Sequence, residues 1–144
     1  MIPDPIQDFD YEQARRHASL LIIIAAADGE LVREEISVIE AAMGASMLHP
    51  DIRNEVRRML SSPPLLSDVI GKMSMSELRL GLRDAVLVAA ADGQCDATEL
   101  KILNHIATSC GLKEDSVRCL IEWVEDGWNW MDVGLDLVGL PQRD

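Results

Sequence analysis

An internal repeat constrains the fold of this chain more than any other feature of its sequence. Residues 25–39 read AAADGELVREEISVI and residues 89–103 read AAADGQCDATELKIL, an offset of 64 positions with six of fifteen identical. Each copy follows an aliphatic run and leads into a segment with helical spacing. Because glycine closes helices in the left-handed conformation, each Asp-Gly pair predicts a turn between two helices. We expect the two hairpins to pack together with approximate two-fold symmetry, which buries their apolar sides.

Helical patterns also dominate the rest of the chain. No segment shows strand alternation with hairpin signals, and aromatic residues, which strands favour, make up only 3% of the sequence. The sequence therefore predicts an all-α fold of about seven helices. We expect one domain over residues 1–144, with repeat 1 at about 11–45, repeat 2 at about 74–111, and a C-terminal helix and tail at 114–144.

The tail carries most of the aromatic side chains. We expect the C-terminal helix to end near Asp126, because the three glycines from Gly127 to Gly139 disfavour a long helix. Trp128 and Trp130 are expected to pack on the body of the domain, as apolar tail residues of small domains usually do. The alternative is that they form a partner site, since exposed aromatic residues often anchor interfaces.

The charge of the chain restricts its partners. It carries 25 acidic and 13 basic residues, a formal net charge of −12 at pH 7. General affinity for nucleic acid is excluded, because such binding depends on neutralising phosphates with Lys and Arg. Docking on an anionic membrane surface is disfavoured on the same ground. A cation, a cationic partner or solubility alone is compatible with this charge.

Cysteine usage and the apolar N-terminal stretch predict a cytoplasmic protein. Three cysteines without a CxxC pair do not make a disulfide framework, which is typical of a reducing compartment. Residues 18–27 are apolar but too short to span a bilayer, and acidic residues precede them where a signal peptide is basic. We therefore expect no membrane insertion.

An acidic pair recurs in both copies of the repeat, Asp28 with Glu35 and Asp92 with Glu99. Two interpretations are open. In the first, the aspartates accept hydrogen bonds in their turns and the glutamates cap the helices that follow. In the second, the four carboxylates share a divalent cation of calcium or magnesium type, because hard cations take oxygen ligands. The two interpretations are compatible with each other.

The spacing of each acidic pair resembles the second half of an EF-hand calcium loop. With Gly29 or Gly93 at loop position 6, the two acids fall at positions 5 and 12. Positions 1 and 3 are then aliphatic in both copies, whereas a calcium loop needs oxygen ligands there. An EF-hand is therefore excluded, and a pair of carboxylates per copy remains.

The two turns also share a motif with a known family. The Ala-Asp-Gly turns at 27–29 and 91–93, followed by Glu35 and Glu99, span most of residues 11–111 with their flanking helices. This pattern resembles the tellurite-resistance TerB-like proteins. The resemblance implies an all-helical, non-enzymatic bacterial domain linked to resistance to tellurite and other stresses. It further implies that the acidic residues of both turns, Asp28, Glu35, Asp92 and Glu99, bind a divalent cation.

One position distinguishes the two copies. Val32 stands in the first copy where Asp96 stands in the second, so we expect only the second hairpin to carry an N-terminal cap at this point. Asp96 and Glu99 have the spacing of a capping box.

The sequence supports two functional hypotheses. The first is a non-enzymatic TerB-like module that acts in stress or metal-ion resistance through an acidic, cation-dependent surface. The second is an acidic helical adaptor whose turns are purely structural and whose residues Trp128 and Trp130 contact a protein partner. A metal-dependent hydrolase is disfavoured, because no Ser/His/Asp, Cys/His or metal-binding His motif accompanies the acids.

Overall fold

Seven α-helices make up the described part of the fold, as the helical patterns predict. The computed structural model describes residues 3–142, which contain no strand, so the all-α class is confirmed. Residues 1–2 and 143–144, the ends of the predicted domain and tail, lie outside the described residues. A short 3-10 helix (Pro5–Asp8) precedes α1 (Tyr11–Ala26), α2 (Arg33–Ala45), α3 (Pro50–Arg58), α4 (Leu66–Ile70), α5 (Met75–Ala89), α6 (Ala97–Ser109) and α7 (Ser116–Leu137).

Helices α1 and α5 form the centre of the fold. They pack along each other, and α2 contacts both of them. Each is buried on more than one side, because its apolar residues form a band too wide for a single interface. Although α1 is strongly apolar, none of the helices within residues 3–142 combines the length and the hydropathy needed to cross a membrane.

The two central helices approach closely at Gly81. A Cβ atom there would lie 2.6 Å from Cδ2 of Leu20, which is fully buried. The early part of α1 meets the early part of α5, where Arg16 binds Glu77 with an N–O distance of 2.8 Å. Beyond the C-terminal ends of the two helices, a carboxylate oxygen of Asp28 lies within 4.8 Å of oxygens of Asp96 and Glu99. The helices therefore run in the same direction, and the two Asp-Gly turns that follow them fall at the same end of the molecule.

A buried polar pair ties α1 to α5. The ring Nε2 of His17 lies 2.8 Å from Oδ2 of Asp84, and both side chains are almost fully buried. Arg83 donates a second hydrogen bond to the same carboxylate, at 2.8 Å. Burial alone raises the pKa of Asp84, but the hydrogen bonds from His17 and Arg83 outweigh it and hold this pKa below its usual value. The ionised carboxylate is thus fully partnered within the core.

We expect Asp84→Ala to lower the free energy of unfolding by about 3 kcal/mol, because it leaves His17 and Arg83 without their buried partner. The exposed Asp126→Ala, also in the middle of a helix, is the matched control and should change stability by only a few tenths of a kcal/mol. Urea unfolding at pH 7 measures both. Equal stability of the two variants would show that the pair contributes nothing.

Both repeat turns close as the sequence predicts. Gly29 and Gly93 have φ values of 79° and 87°, in the left-handed region that glycine adopts without strain. Asp96 caps α6, whereas Val32 at the start of α2 makes no side-chain cap, as the difference between the copies predicts. The two-fold relation between the repeats stays a prediction. Among the close helix pairs of the described chain, α2 packs on α5, but the corresponding packing of α6 on α1 is missing.

The predicted end of the last helix near Asp126 is wrong. Helix α7 continues through Gly127 to Leu137. A glycine inside a helix costs only about 1 kcal/mol relative to alanine, and Gly127 does not adopt the positive φ that ends a helix. The third glycine is the actual stop signal. Gly139 has a φ of 73°, and the N–H of Leu140 bonds the carbonyl of Leu135, which is the pattern of a Schellman motif.

The expected packing of the tail tryptophans on the body is also wrong. Trp128 is 42% exposed and Trp130 is 66% exposed. Because α7 continues as a helix, it does not fold back over the core, and the two tryptophans only line an open groove beside Leu87 of α5. The tryptophans therefore leave an apolar surface in contact with water.

Candidate cation site

The four predicted carboxylates gather at one end of the molecule, where the two Asp-Gly turns lie. Asp28 follows α1 and Asp92 follows α5, while Glu35 and Glu99 occupy the first turns of α2 and α6. The negative charges of Asp28, Asp92 and Glu99 all act on the carboxyl of Glu35. The same direction of α1 and α5 thus brings acids from positions 64 residues apart into one cluster.

Three carboxylates of this cluster lie close enough to share an ion. One oxygen each from Asp28, Asp96 and Glu99 lies within 4.8 Å of the other two. Asp28 comes from repeat 1, whereas Asp96 and Glu99 come from repeat 2, so the group bridges the two hairpins. Asp92 and Glu35 belong to the surrounding acidic cluster but not to this close group.

Asp96 is the residue that sequence analysis treated only as a helix cap. Its Oδ1 accepts a hydrogen bond from the N–H of Glu99 at 2.8 Å, and Oε1 of Glu99 accepts from the N–H of Asp96 at 3.3 Å. This capping box occupies one oxygen of each carboxyl and holds the two side chains together. The signal was therefore in the sequence, because a D-x-x-E capping box places two carboxyls next to each other.

Glu35 is buried without a partner. Only 3% of the residue is exposed, and its Oε2 is fully buried without a hydrogen bond. Burial, followed by the charges of Glu99 and Asp28, raises the pKa of Glu35 to about 8. Capping does not explain this residue, because α2 lacks the side-chain cap with which Glu35 would form a box.

Glu99 is buried as well and also has one carboxyl oxygen without a hydrogen bond. It is also 3% exposed, and its Oε2 is buried without a hydrogen bond although Oε1 takes part in the capping box. Burial is the main cause that raises the pKa of Glu99 to about 7, and the nearby carboxylates of Asp96 and Asp28 add to it. Two buried carboxyl oxygens, one from each repeat, are thus left for a positively charged ligand.

The two aspartates of the turns have structural bonds as well. Oδ1 of Asp28 accepts from the N–H of Glu30 at 2.9 Å, and Oδ1 of Asp92 accepts from the N–H of Gln94 at 3.0 Å. These are the Asx turns that the first interpretation predicts. Both side chains are exposed, so the Oδ2 atom of each remains accessible to a ligand. The structural interpretation and the cation interpretation therefore apply to the same residues.

A cysteine borders the cluster. Burial, and then the charges of Glu99 and Asp96, raise the pKa of Cys95 to about 11. Its thiol is therefore protonated at neutral pH and is a poor metal ligand. The charged ligand atoms offered at this end of the molecule are all carboxylate oxygens, which suit a hard cation.

Neither a family model, nor a curated protein, nor a solved structure matches this chain. The resemblance to TerB-like proteins therefore rests on the residues of the two turns and on the helices that flank them.

Without a bound cation, we expect the protein to lose stability as the pH rises from 5 to 8. Glu35 and Glu99 bind protons more tightly in the folded than in the unfolded chain, so their contribution is complete below pH 4.5 and is lost as the pH passes through about 7 and 8. The expected fall is a few kcal/mol, since one pKa unit corresponds to about 1.4 kcal/mol. Urea unfolding in EDTA across this range measures it.

The variant Glu35→Gln tests the cause of this pH dependence. It should remove the part of the fall that Glu35 contributes and leave the part that Glu99 contributes, whereas the exposed neighbour Glu34→Gln should leave the profile unchanged. Two results would contradict the raised pKa values of Glu35 and Glu99. One is a parent protein that becomes more stable towards pH 8, and the other is a Glu35→Gln variant with the same pH profile as the parent.

Proposed function

We propose that this protein is a non-enzymatic helical module that binds a divalent cation of calcium or magnesium type between its two hairpin turns. The observation that carries the proposal is the close group of Asp28, Asp96 and Glu99, together with unpaired buried oxygens of Glu35 and Glu99. Buried charged oxygens need a partner, and hard cations prefer sets of carboxylate oxygens.

The arrangement supports a binding role through its effect on the fold. A cation held by Asp28 on one side and by Asp96 and Glu99 on the other links repeat 1 to repeat 2. It also reduces the repulsion among carboxylates that otherwise favours protonation of Glu35. Binding would therefore stiffen the end of the molecule where the two turns meet. By the resemblance to TerB-like proteins, we assign this cation-dependent module to tellurite or stress resistance.

The chemistry of the site favours binding over catalysis. The residues that converge are carboxylates, and His17, which could act as a base elsewhere, is held in the core by Asp84. Burial, and then the charges of the same acidic cluster, raise the pKa of Cys95 to about 11, so its thiol stays protonated and is a weak nucleophile. A hydrolase that forms a covalent intermediate also needs an activated nucleophile beside its metal, and the Cys95 thiol does not provide one.

We expect calcium, magnesium or manganese to raise the melting temperature of metal-free protein. A ligand that binds only the folded state adds RT ln(1 + [L]/Kd), about 2.7 kcal/mol at a hundredfold excess over Kd. For a domain of this size this corresponds to a shift of several degrees. Differential scanning calorimetry with millimolar salts of each ion, against potassium chloride at equal ionic strength, measures it. If none of the three ions changes the melting temperature, the acids act only in helix turns and caps, and the adaptor hypothesis is favoured.

Two matched pairs of variants locate the ion. Asp28→Asn should abolish the cation-induced shift, whereas Asp92→Asn, which has the same Asx turn but lies outside the close group, should only reduce it. Asp96→Asn should also abolish the shift, because Asn caps helices about as well as Asp but lacks the charge. Its control is Asp10→Asn, in the capping box of α1 outside the cluster.

Isothermal calorimetry of the four variants separates loss of binding from loss of fold. The account is wrong if Asp28→Asn and Asp96→Asn bind the ion as tightly as Asp92→Asn and Asp10→Asn do.

A further inference from the structure

Helix α7 carries an apolar seam that extends beyond the core. Apolar residues recur at alternating spacings of four and three along its length, which is the spacing of one helix that packs lengthwise on another. The seam comprises Val117, Ile121, Val124, Trp128, Met131 and Leu135. Its first three residues pack on the core of the domain, whereas Trp128 and Met131 are 42% and 59% exposed. The seam thus has a partner within the chain for only half of its length.

A second apolar row lies beside this seam. Trp123, Trp130 and Leu137 are seven residues apart and all are exposed. Between the two rows lie Gly127 and Gly134, and a Cβ atom built at either glycine meets nothing within 4 Å. In the C-terminal half of α7, large apolar side chains therefore flank a strip of helix surface that is formed by the two glycines. Such a surface lets the backbone of another helix approach closely, and a contiguous exposed patch of this kind marks an interaction site.

The side of α7 that faces away from the two apolar rows is acidic, and its edges border these rows, because Asp132 follows Trp128 by four residues and Asp126 precedes Trp130 by four. It carries Glu122, Glu125, Asp126, Asp132 and Asp136, while Arg118 in the first turn is the only basic residue of the helix. A second copy of the chain would bring the same acids to the same surface, and both copies carry a net charge of −12. An anionic membrane would be repelled in the same way. Charge complementarity therefore favours a cationic occupant with an apolar face.

We propose that the C-terminal half of α7 binds a basic amphipathic helix of a partner protein. The apolar face of that helix would lie on Trp128, Trp130 and Met131, and its Lys and Arg side chains would reach the acids that flank them. A shallow apolar groove between α5 and α7, lined by Leu87, Trp123 and Trp128, continues the surface onto the body of the domain. The partner helix would thus contact both the projecting helix and the core. This surface lies on α7, and its occupation does not require a cation at the two turns.

The test is binding of a designed probe to the full chain. The probe is a fluorescein-labelled 20-residue peptide of Leu and Lys with its leucines on one helical face. Two controls accompany it, a scrambled peptide of the same composition and a Leu/Glu peptide with the same apolar pattern. Fluorescence anisotropy should show saturable binding of the amphipathic basic peptide, at least tenfold tighter than either control peptide. If the scrambled peptide binds equally well, the interaction depends on net charge alone, and the proposal is overturned.

A pair of double variants locates the surface. Trp130→Ala with Met131→Ala should weaken probe binding about thirtyfold or more, because large aromatic anchors dominate helix interfaces. Tyr11→Ala with Met75→Ala removes an equally exposed aromatic and methionine from α1 and α5 and should leave binding unchanged. All four side chains are largely exposed, so the variants retain the fold, which circular dichroism verifies. Unchanged binding in the α7 variant would contradict the assignment.

The acids of α7 have their own test. Glu125→Gln with Asp132→Asn should weaken binding severalfold at low salt and reduce its salt dependence, whereas Glu34→Gln with Asp68→Asn should do neither. Two further results would overturn the proposal in favour of another occupant. One is a concentration-dependent dimer in sedimentation velocity that Trp130→Ala with Met131→Ala abolishes. The other is that the protein cosediments with phosphatidylglycerol vesicles, that Trp130→Ala with Met131→Ala abolishes this, and that the basic peptide does not bind.

Discussion

The packing of α1 along α5 determines where the functional groups of this protein lie. The two helices approach closely at Gly81 and are tied by the buried pair of His17 and Asp84. Because they run in the same direction, the turns that end them meet at one end of the molecule. Neither turn alone offers more than ordinary helix-terminating chemistry. The packing turns two separate acidic turns into one cluster and brings Asp28 within reach of Asp96 and Glu99.

The cluster opposes the stability that this packing provides. Burial of Glu35 and Glu99 among other carboxyls raises the pKa of both and leaves two buried oxygens without hydrogen bonds. A structure retains such groups only where something offsets their cost, and in a metal-free protein that is a proton. A divalent cation offsets the cost more fully, because it neutralises several carboxylates at once. If the cluster binds a cation as proposed, its state links the stability of the fold to the cation and proton concentrations around it.

The sequence predicted the parts of the structure that depend on local chemistry. The repeat, the Asp-Gly stops and the capping residues determine short segments, so the helices and the convergence of Asp28 and Glu35 with Asp92 and Glu99 could be predicted. The closeness of Asp96 to Asp28 could not be predicted, because Asp28 lies in the other hairpin. The close group of Asp28, Asp96 and Glu99 depends on tertiary packing, which the local spacing of residues does not specify.

The end of α7 is a second feature that local sequence did not predict. Glycine at position 127 predicts a stop, but Gly127 does not adopt a positive φ, and the helix ends before Gly139, which does. Because one glycine costs a helix interior only about 1 kcal/mol, the presence of a glycine does not by itself show where a helix ends. The exposure of Trp130 follows from the same continuation of α7.

The most direct test of the central claim is anomalous diffraction from crystals of the metal-free protein soaked in manganese, an ion that takes the same oxygen ligands as magnesium. The account predicts one strong peak bonded to carboxylate oxygens of Asp28, Asp96 and Glu99, at about 2.0–2.4 Å from each. It also predicts that the peak is lost in Asp96→Asn crystals treated in the same way. A map with no peak between the two turns at saturating manganese, or a peak that persists in Asp96→Asn, would contradict the account.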